Sequence, residues 1–183
     1  RLAAENWSND WQILTATILS ARTRDEVTIK VCEKMYKEVS SSKEFSKLKI
    51  QKVKKLIGSI NFFNNKSKMI LNCAKEIETI HKGIVPRDFE KLVMLSGVGR
   101  KTANVFLAEF GGSNIGVDTH VSYISQYLGW ANSDKQEVIE NQLKELFPKS
   151  KWKELNSILV RFGKTYTSKR EKNFILDEIK KII

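Results

Sequence analysis

Apolar residues recur at every third or fourth position along most of the chain, with polar residues between them. This spacing places the apolar side chains on one face of an α-helix, and no convincing strand-like alternation of apolar and polar residues is found. The clearest stripes are Val31, Cys32, Met35 and Val39; Met69, Ile70, Cys73, Ile77 and Ile80; Ala103, Phe106, Leu107 and Phe110; and Ile175, Ile179 and Ile182. The pattern predicts an all-α protein of about ten short helices.

Turn-forming residues separate these stripes. Glycine, asparagine or proline marks predicted turns at residues 61–65, 81–87, 97–99 and 111–114. Because glycine tolerates positive φ, we assign the lobe boundary or hinge to residues 111–114. Three segments match the capping box that begins a helix, at residues 23–26, 41–44 and 133–136.

Composition narrows the class of protein. An apolar fraction of 41% can fill a core, which excludes disordered and collagen-like chains. No apolar run approaches the roughly 18–20 residues of a membrane span. No signal segment is recognised at the N-terminus. We therefore expect a soluble, intracellular protein with no membrane partner.

The charge of the chain is strongly basic and uneven. Lys and Arg number 32 against 21 Asp and Glu, a formal net charge of +11. Such a chain attracts polyanions, most commonly DNA or RNA and next anionic membrane, while a solvated Lys-rich surface is the other interpretation. From Lys149 onward ten Lys and Arg accompany four Asp and Glu, which suits a segment that follows a phosphate backbone.

Cysteine and histidine are too few for a metal site of their own. Cys32 and Cys73 are the two cysteines, and each lies on the apolar stripe of a predicted helix. We expect both to be reduced core thiols. His81 and His120 are isolated in the sequence, so no zinc site is predicted.

A glycine-rich turn between two predicted helices is the most informative motif. The first helix ends near Leu95, residues 97–99 read Gly-Val-Gly, and Arg100 and Lys101 open the second helix. Exposed backbone amides of Gly97, Val98 and Gly99, together with Arg100, are suited to bind a phosphate without reading sequence. An ordinary helical turn has the same pattern, so the motif gains weight only from its context.

That context is a carboxylate, Asp118, at the opening of the next predicted helix, 17 residues after Lys101. Together the hairpin and residues 117–121 resemble the endonuclease III family of helix-hairpin-helix DNA glycosylases. The resemblance extends to residues 18–25, 62–66 and 83–86, and it covers roughly residues 9–165.

The resemblance implies an all-α, two-lobed glycosylase fold with a DNA cleft between the lobes. The first lobe, residues 9–112, would contain about six helices and the hairpin. The second lobe would combine residues 1–8 with residues 113–183. Lys101 and Asp118 are expected to face each other across the cleft.

The implied activity is that of a bifunctional DNA glycosylase and abasic-site (AP) lyase. The Lys101 amine would attack C1′ of a flipped nucleotide, expel the damaged base, form a Schiff base and permit β-elimination. Burial beside Arg100 at a helix N-terminus would favour the neutral amine, whereas Asp118 would favour its charged form while stabilising the sugar cation. The alternatives are a surface lysine that grips phosphate and an aspartate that caps the helix beginning at Thr119.

Further DNA contacts follow from the same resemblance. Phe62 stands where the family has an apolar wedge, and Arg22 where it commonly has a glutamine that fills the space of the extruded base. Phe62 is otherwise interpreted as a core residue, and the departure at Arg22 leaves strand preference open. His120 is a candidate phosphate contact or a stabiliser of its own helix. Basic residues near the C-terminus are the remaining DNA-binding candidates, namely Lys164, Lys169 and Arg170.

The chain departs from the family in two respects. Most members bind a [4Fe–4S] cluster through four cysteines, whereas no cysteine follows Cys73 here, so we expect no cluster and no other cofactor. We expect a final helix that packs Phe174, Ile175, Ile179 and Ile182 to replace the structural role of the cluster. Ser96 stands where the family usually has proline.

The expected partner is double-stranded DNA with damaged bases or abasic sites, bound by a monomer, and the expected substrates are oxidised pyrimidines. One alternative is a glycosylase with shifted specificity, for 8-oxoguanine or mismatched uracil or thymine. The other is a non-catalytic helix-hairpin-helix module. The pairing of Lys101 with Asp118 argues against that module, because a phosphate grip needs neither residue.

Overall fold

A computed structural model describes residues 1–110 and 115–182 of the chain. These residues form eleven α-helices and one short 3₁₀ helix, and no β-strand occurs among them, which confirms the all-α prediction. None of the helices in the described ranges combines the length and apolar character needed to cross a membrane.

The helices follow one another with short connections. Their bounds are α1 (Asp10–Ser20), α2 (Asp25–Glu38), α3 (Ser42–Phe45), α4 (Ile50–Leu56), α5 (Phe63–Ile80), α6 (Phe89–Val93), α7 (Arg100–Ala108), α8 (Thr119–Tyr127), α9 (Gln136–Leu146), a 3₁₀ helix (Lys149–Lys151), α10 (Trp152–Thr165) and α11 (Lys169–Lys180).

The chain divides into two compact units, Arg1–Phe106 and Leu107–Ile183. This division differs from the predicted lobes, which joined residues 1–8 to the second unit. The N-terminal residues contact the first unit instead: the Trp7 ring meets the Tyr36 ring edge-on at 5.0 Å, and the Arg1 guanidinium lies 4.4 Å from the Trp7 ring. The boundary predicted at residues 111–114 lies outside the described residues.

The first unit is built around α1 and α5. Helix α1 is buried from Trp11 to Leu19, and the apolar stripe predicted for α2 is buried as well. The stripe predicted for α5 is correct in part: Ile70, Cys73 and Ile77 are buried, whereas Met69 and Ile80 are exposed. Full burial of a leucine such as Leu14 stabilises the fold by roughly 1.5–3 kcal/mol. The ends of α1 and α5 position the candidate site.

Only one of the three predicted capping boxes begins its helix as expected. The Ser41 hydroxyl accepts a hydrogen bond from the Glu44 amide at 3.3 Å and caps α3. The predictions for residues 23–26 and 133–136 are wrong, because α2 and α9 begin without side-chain caps. The Thr23 hydroxyl has other partners, described below.

The second unit centres on α8, which buries Val121, Ile124 and Ser125 and packs against α10. Helix α11 attaches to α8 through two tyrosines: the Tyr123 hydroxyl bonds Asn173 and the Tyr127 hydroxyl bonds Asp177.

The predicted apolar face of α11 is correct only in part, because Ile175 and Ile179 are half-buried while its other two members are exposed. Phe174 is 68% exposed and Ile182 is 84% exposed, while Lys172 and Leu176 are buried. The Lys172 ammonium lies 5.6 Å from the Tyr123 ring, so α11 contacts α8 through polar and cation–π contacts as well as apolar ones.

Candidate nucleic-acid interface

The glycine turn joins α6 and α7 as the sequence predicts. Helix α6 ends at Val93, the Val98 amide donates to the Leu95 carbonyl at 3.0 Å, and α7 begins at Arg100. The Ala103 amide closes the first turn of α7 onto the Gly99 carbonyl at 3.0 Å. The turn and the N-terminus of α7 are thus held in one fixed backbone arrangement.

The two glycines of the turn serve different purposes. Gly97 has φ +81°, and a Cβ there would lie 2.9 Å from the Met69 Cβ, so both conformation and packing require glycine. A Cβ on Gly99 would meet no described atom within 4 Å. The fold therefore leaves space at Gly99 that a ligand can enter.

A carboxylate of α5 anchors the turn. Glu76 accepts hydrogen bonds from the Ser96 amide at 2.7 Å and from the Ser96 hydroxyl at 2.6 Å. A proline at this position would lack the amide donor. Ser96 thus makes a contact that the residue usual in the family cannot make.

Arg100 and Lys101 occupy the first turn of α7. The Arg100 guanidinium lies 5.1 Å from the Phe89 ring of α6, which braces it on the hairpin. Lys101 is exposed. The expected burial of Lys101 is therefore wrong.

Beside the turn lies a pocket of about 520 Å³, formed entirely within the first unit. The end of α1, the start of α5 and the glycine turn contribute its walls. It brings together five of the predicted site residues, Arg22, Phe62, Gly97, Val98 and Gly99. Phe62 is 58% exposed, so the interpretation of this residue as part of the core is wrong.

Arg22 and Phe62 have unusual backbone conformations. Their φ angles are +56° and +60°, in the left-handed region that bulky residues seldom adopt. The Arg22 guanidinium lies 5.6 Å from the Phe62 ring. The two predicted DNA-contacting side chains are therefore neighbours at the rim of one pocket.

Lys66 is a pocket residue that sequence analysis did not identify. Its side chain is buried, and its ammonium donates to the carbonyls of Leu19, at 2.7 Å, and Ala21. Burial lowers the pKa of Lys66 to about 8. Its position between Phe63 and Ile70, on the inward face of α5, is the sequence signal that could have indicated a buried lysine.

Asp118, in the second unit, caps α8. Its Oδ1 atom accepts hydrogen bonds from the amides of His120 and Val121, both at 2.9 Å, and the residue is only 9% exposed. The capping role considered from the sequence is thus confirmed. A cap also fixes the direction of the carboxylate, so it is compatible with a chemical role.

His120 lies directly against α10. A Cβ built on Gly163 would come within 2.5 Å of the Cβ, Cγ and Nδ1 atoms of His120. Only a glycine at position 163 leaves room for the imidazole in this place. The position of His120 is therefore set by the backbone of α10.

The basic candidates near the C-terminus are exposed. Lys164 lies in the last turn of α10, and Lys169 and Arg170 lie in the first turn of α11. Cations at a helix N-terminus oppose the helix dipole, so Lys169 and Arg170 do not stabilise α11 through that dipole. An anionic ligand would offset this repulsion.

The cysteines lie in the core of the first unit. Cys32 and Cys73 are buried free thiols, and burial raises the pKa of each to about 12. Across residues 1–110 and 115–182, no group of three His, Cys, Asp or Glu side chains is arranged to hold a metal ion.

Comparison with known proteins defines the class. Residues 15–149 match the model of the HhH-GPD superfamily base excision DNA repair proteins. Over 158 residues the chain is 35% identical to endonuclease III of Thermotoga maritima, a match that covers 86% of this chain and 74% of the relative.

Two solved structures share the fold. A non-covalent endonuclease III–DNA complex matches with a TM-score of 0.86 at 30% identity. The match covers 91% of this chain and 78% of the endonuclease III chain. A trapped covalent endonuclease III–DNA intermediate matches with a TM-score of 0.85 at 30% identity. The match covers 90% of this chain and 78% of the endonuclease III chain.

The chain belongs to the HhH-GPD superfamily of base excision DNA repair proteins. The resemblance to the endonuclease III family is thereby confirmed, and the protein is a DNA glycosylase of base excision repair.

Proposed function

We propose that the protein is a bifunctional glycosylase and AP lyase that removes oxidised pyrimidines from double-stranded DNA. The observation that carries the proposal is an exposed lysine, Lys101, in the first turn of the helix that follows the glycine turn. A similar protein, endonuclease III, has been trapped as a covalent DNA intermediate, which supports a covalent reaction here.

In the proposed reaction, the neutral Lys101 Nζ attacks C1′ of the damaged nucleotide. The bond between C1′ and the base breaks, and the base leaves with the electron pair and takes up a proton. Loss of the amine proton and opening of the sugar ring give a Schiff base between C1′ and Nζ. Removal of a C2′ proton then breaks the bond between C3′ and the 3′ phosphate oxygen.

Asp118 is the proposed carboxylate of the reaction. Its charge stabilises the positive sugar as the base departs and assists the proton transfers. Because the amides of His120 and Val121 bind Oδ1, the carboxylate keeps its direction without reorganisation.

DNA binding is proposed to use the residues predicted from the sequence. Gly99 leaves space for a phosphate, Arg100 supplies charge, and Arg22 and Phe62 enter the duplex when the damaged nucleotide is extruded. His120, Lys164, Lys169 and Arg170 contribute phosphate contacts from the second unit. A monomer that acts on DNA inside the cell is sufficient for this function.

The residues present do not fit the iron–sulfur cluster that most relatives in the family carry. Four thiolates are required, whereas the sequence supplies two cysteines, both buried thiols in the first unit. We propose that the reaction needs neither a cluster nor another cofactor.

Borohydride trapping tests the proposal. Duplexes that carry thymine glycol, uracil, 8-oxoguanine, an abasic site or no lesion are incubated with the protein and reduced. We expect an adduct on thymine glycol and abasic duplexes that disappears in Lys101→Gln and persists in Lys91→Gln, which removes an exposed lysine of α6. An adduct mainly on 8-oxoguanine or uracil would overturn the substrate assignment alone.

The carboxylate is tested by Asp118→Asn, which can still cap α8. Its matched control is Asp88→Asn, because Asp88 caps α6 by accepting from the Lys91 amide at 3.0 Å. Asp118→Asn should slow base release by about 10²- to 10⁴-fold, and the control should not. A folded, DNA-binding protein that forms no adduct and releases no base would instead be a non-catalytic module.

A further inference from the structure

Two strained turns stand side by side at the pocket of the first unit. Arg22 lies in the turn between α1 and α2, and Phe62 in the turn before α5; both have positive φ. Each such conformation costs on the order of 1–3 kcal/mol and persists only when surrounding contacts enforce it. The contacts that enforce these two turns come from Lys66 and Asn61.

Lys66 ties α5 to the Arg22 turn. Its ammonium donates to the Leu19 carbonyl at 2.7 Å, to the Ala21 carbonyl and to the Thr23 hydroxyl at 3.3 Å. The two carbonyls belong to the C-terminal end of α1, where backbone acceptors lack helical partners and a cation is favourable. The residues on both sides of Arg22 are therefore held by one side chain of α5.

Asn61 ties the Phe62 turn to the same segment. Its side-chain amide donates to the Arg22 carbonyl at 2.6 Å, and its backbone amide donates to the Thr23 hydroxyl at 3.2 Å. Thr23 thus accepts from both Asn61 and Lys66. This explains why its hydroxyl does not cap α2 as the sequence predicts.

The Lys66 ammonium has three N–H donors, and the three contacts use all of them. No donor remains for a phosphate. Because its pKa is about 8, the Lys66 amine is protonated in most molecules at neutral pH. Lys66 is therefore suited to hold the turns rather than to react with or bind the DNA.

We propose that Lys66 and Asn61 are positioning residues, which fasten the Arg22 and Phe62 turns together so that the two side chains enter the duplex as one rigid unit. Extrusion of a nucleotide leaves a gap and an unpaired partner base. Filling that gap with preorganised side chains avoids the loss of conformational freedom on binding. The proposal rests on the proposed function, because it concerns the extrusion step.

The test compares four single variants. Lys66→Met keeps the stem and removes the ammonium, and Lys68→Met is its control on the exposed face of α5. Asn61→Ala removes the bond to Arg22 at an exposed residue, and Asn64→Ala is its control. Asn61→Ala keeps the proposal testable if Lys66→Met does not fold.

Base release is measured under single-turnover conditions on a lesion that is fully paired. Lys66→Met and Asn61→Ala should each slow release by about 10- to 100-fold, since small displacements of positioned groups have effects of this size. When the same lesion lies opposite an abasic position, no partner base is present for Arg22 and Phe62 to hold. On that duplex, the two substitutions should slow base release much less. Equal losses on both duplexes would indicate a general structural role and overturn the proposal.

A mutant cycle shows whether Lys66 acts through the two side chains. Adding Lys66→Met to an Arg22→Ala, Phe62→Ala background should cause little further loss, because its targets are already absent. Losses that multiply would overturn the proposal.

Failure of the proposed function is distinguishable from failure of this inference. Wild-type protein that releases no base from any duplex contradicts the proposed function. If the wild type is active and Lys66→Met and Asn61→Ala release the base equally fast, only the positioning role is contradicted.

Discussion

The carboxylate of Glu76 holds both polar groups of Ser96, the amide and the hydroxyl, and so ties the glycine turn to α5. The turn connects the helix that begins with Arg100 and Lys101 to the rest of the first unit. Its placement therefore depends on a side-chain contact that the backbone of the hairpin alone does not provide.

Ser96→Ala and Glu76→Gln test this contact. Each should lower the free energy of unfolding by about 1–3 kcal/mol, because a hydrogen bond to a charged acceptor is lost or weakened. Urea denaturation of both single variants and the double variant measures the coupling. If the effects of the two substitutions simply add, the contact does not contribute as described.

The two glycines of the turn provide a matched pair. Gly97→Ala should destabilise the protein by roughly 1–3 kcal/mol, because φ is positive and the new methyl group would meet Met69. Gly99→Ala should leave the melting temperature unchanged and weaken binding to a duplex with an abasic site. Fluorescence anisotropy and thermal denaturation separate the two. Undiminished binding by Gly99→Ala would show that no ligand approaches this position.

Gly163→Ala should displace His120. The new methyl group would fall within 2.5 Å of the His120 Cβ, which is too close to the backbone to move away by side-chain rotation. We expect a loss of about 1–3 kcal/mol, the usual range for overpacking. Stability should be largely restored when Gly163→Ala is combined with His120→Gly, because that variant removes the clashing Cβ, whereas Gly163→Ala, His120→Ala keeps it and should remain destabilised. No restoration would place the strain elsewhere.

Lys66 should make stability depend on pH. Its pKa is about 8 in the folded protein against an ordinary value of 10.5, so between these values the unfolded chain binds a proton that the folded chain has released. The free energy of unfolding should therefore rise with pH through this window, by about 3 kcal/mol at most from this group. Below pH 8 both states are protonated and the contribution is constant.

Urea denaturation between pH 7.5 and 10 measures this rise. Lys66→Met should lack the increment, whereas Lys68→Met should retain it, which separates Lys66 from tyrosines and other lysines that titrate nearby. Identical pH profiles for wild type and Lys66→Met would contradict the assignment.

Local features of the site were predictable from the sequence. The glycine turn, the start of α7 and the cap at Asp118 depend on residues close together in the chain, and the structure has them where the pattern predicts. The sequence also places Lys101 correctly at the start of α7. It does not predict the exposure of Lys101, because exposure depends on surfaces formed by distant segments.

Features that depend on long-range contacts were not predictable. Lys66 reaches carbonyls more than forty residues earlier in the chain, and only the folded protein shows why a lysine is buried there. No feature of the sequence predicts the positive φ of Phe62. In α11, the spacing of isoleucines predicts which face is buried. The hydrogen bonds from Tyr123 and Tyr127 of α8 instead place a different face of α11 against α8.

The two tyrosine contacts determine how α11 can move along α8. Tyr123 and Tyr127 are one helical turn apart, as are their partners Asn173 and Asp177, and both bonds run in the same chain direction. A slip of one residue would shift α11 by about 1.5 Å and rotate its side chains by about 100°, which would break both bonds at once. The two bonds therefore define a single register of α11 on α8, because a shift by one residue requires both to break.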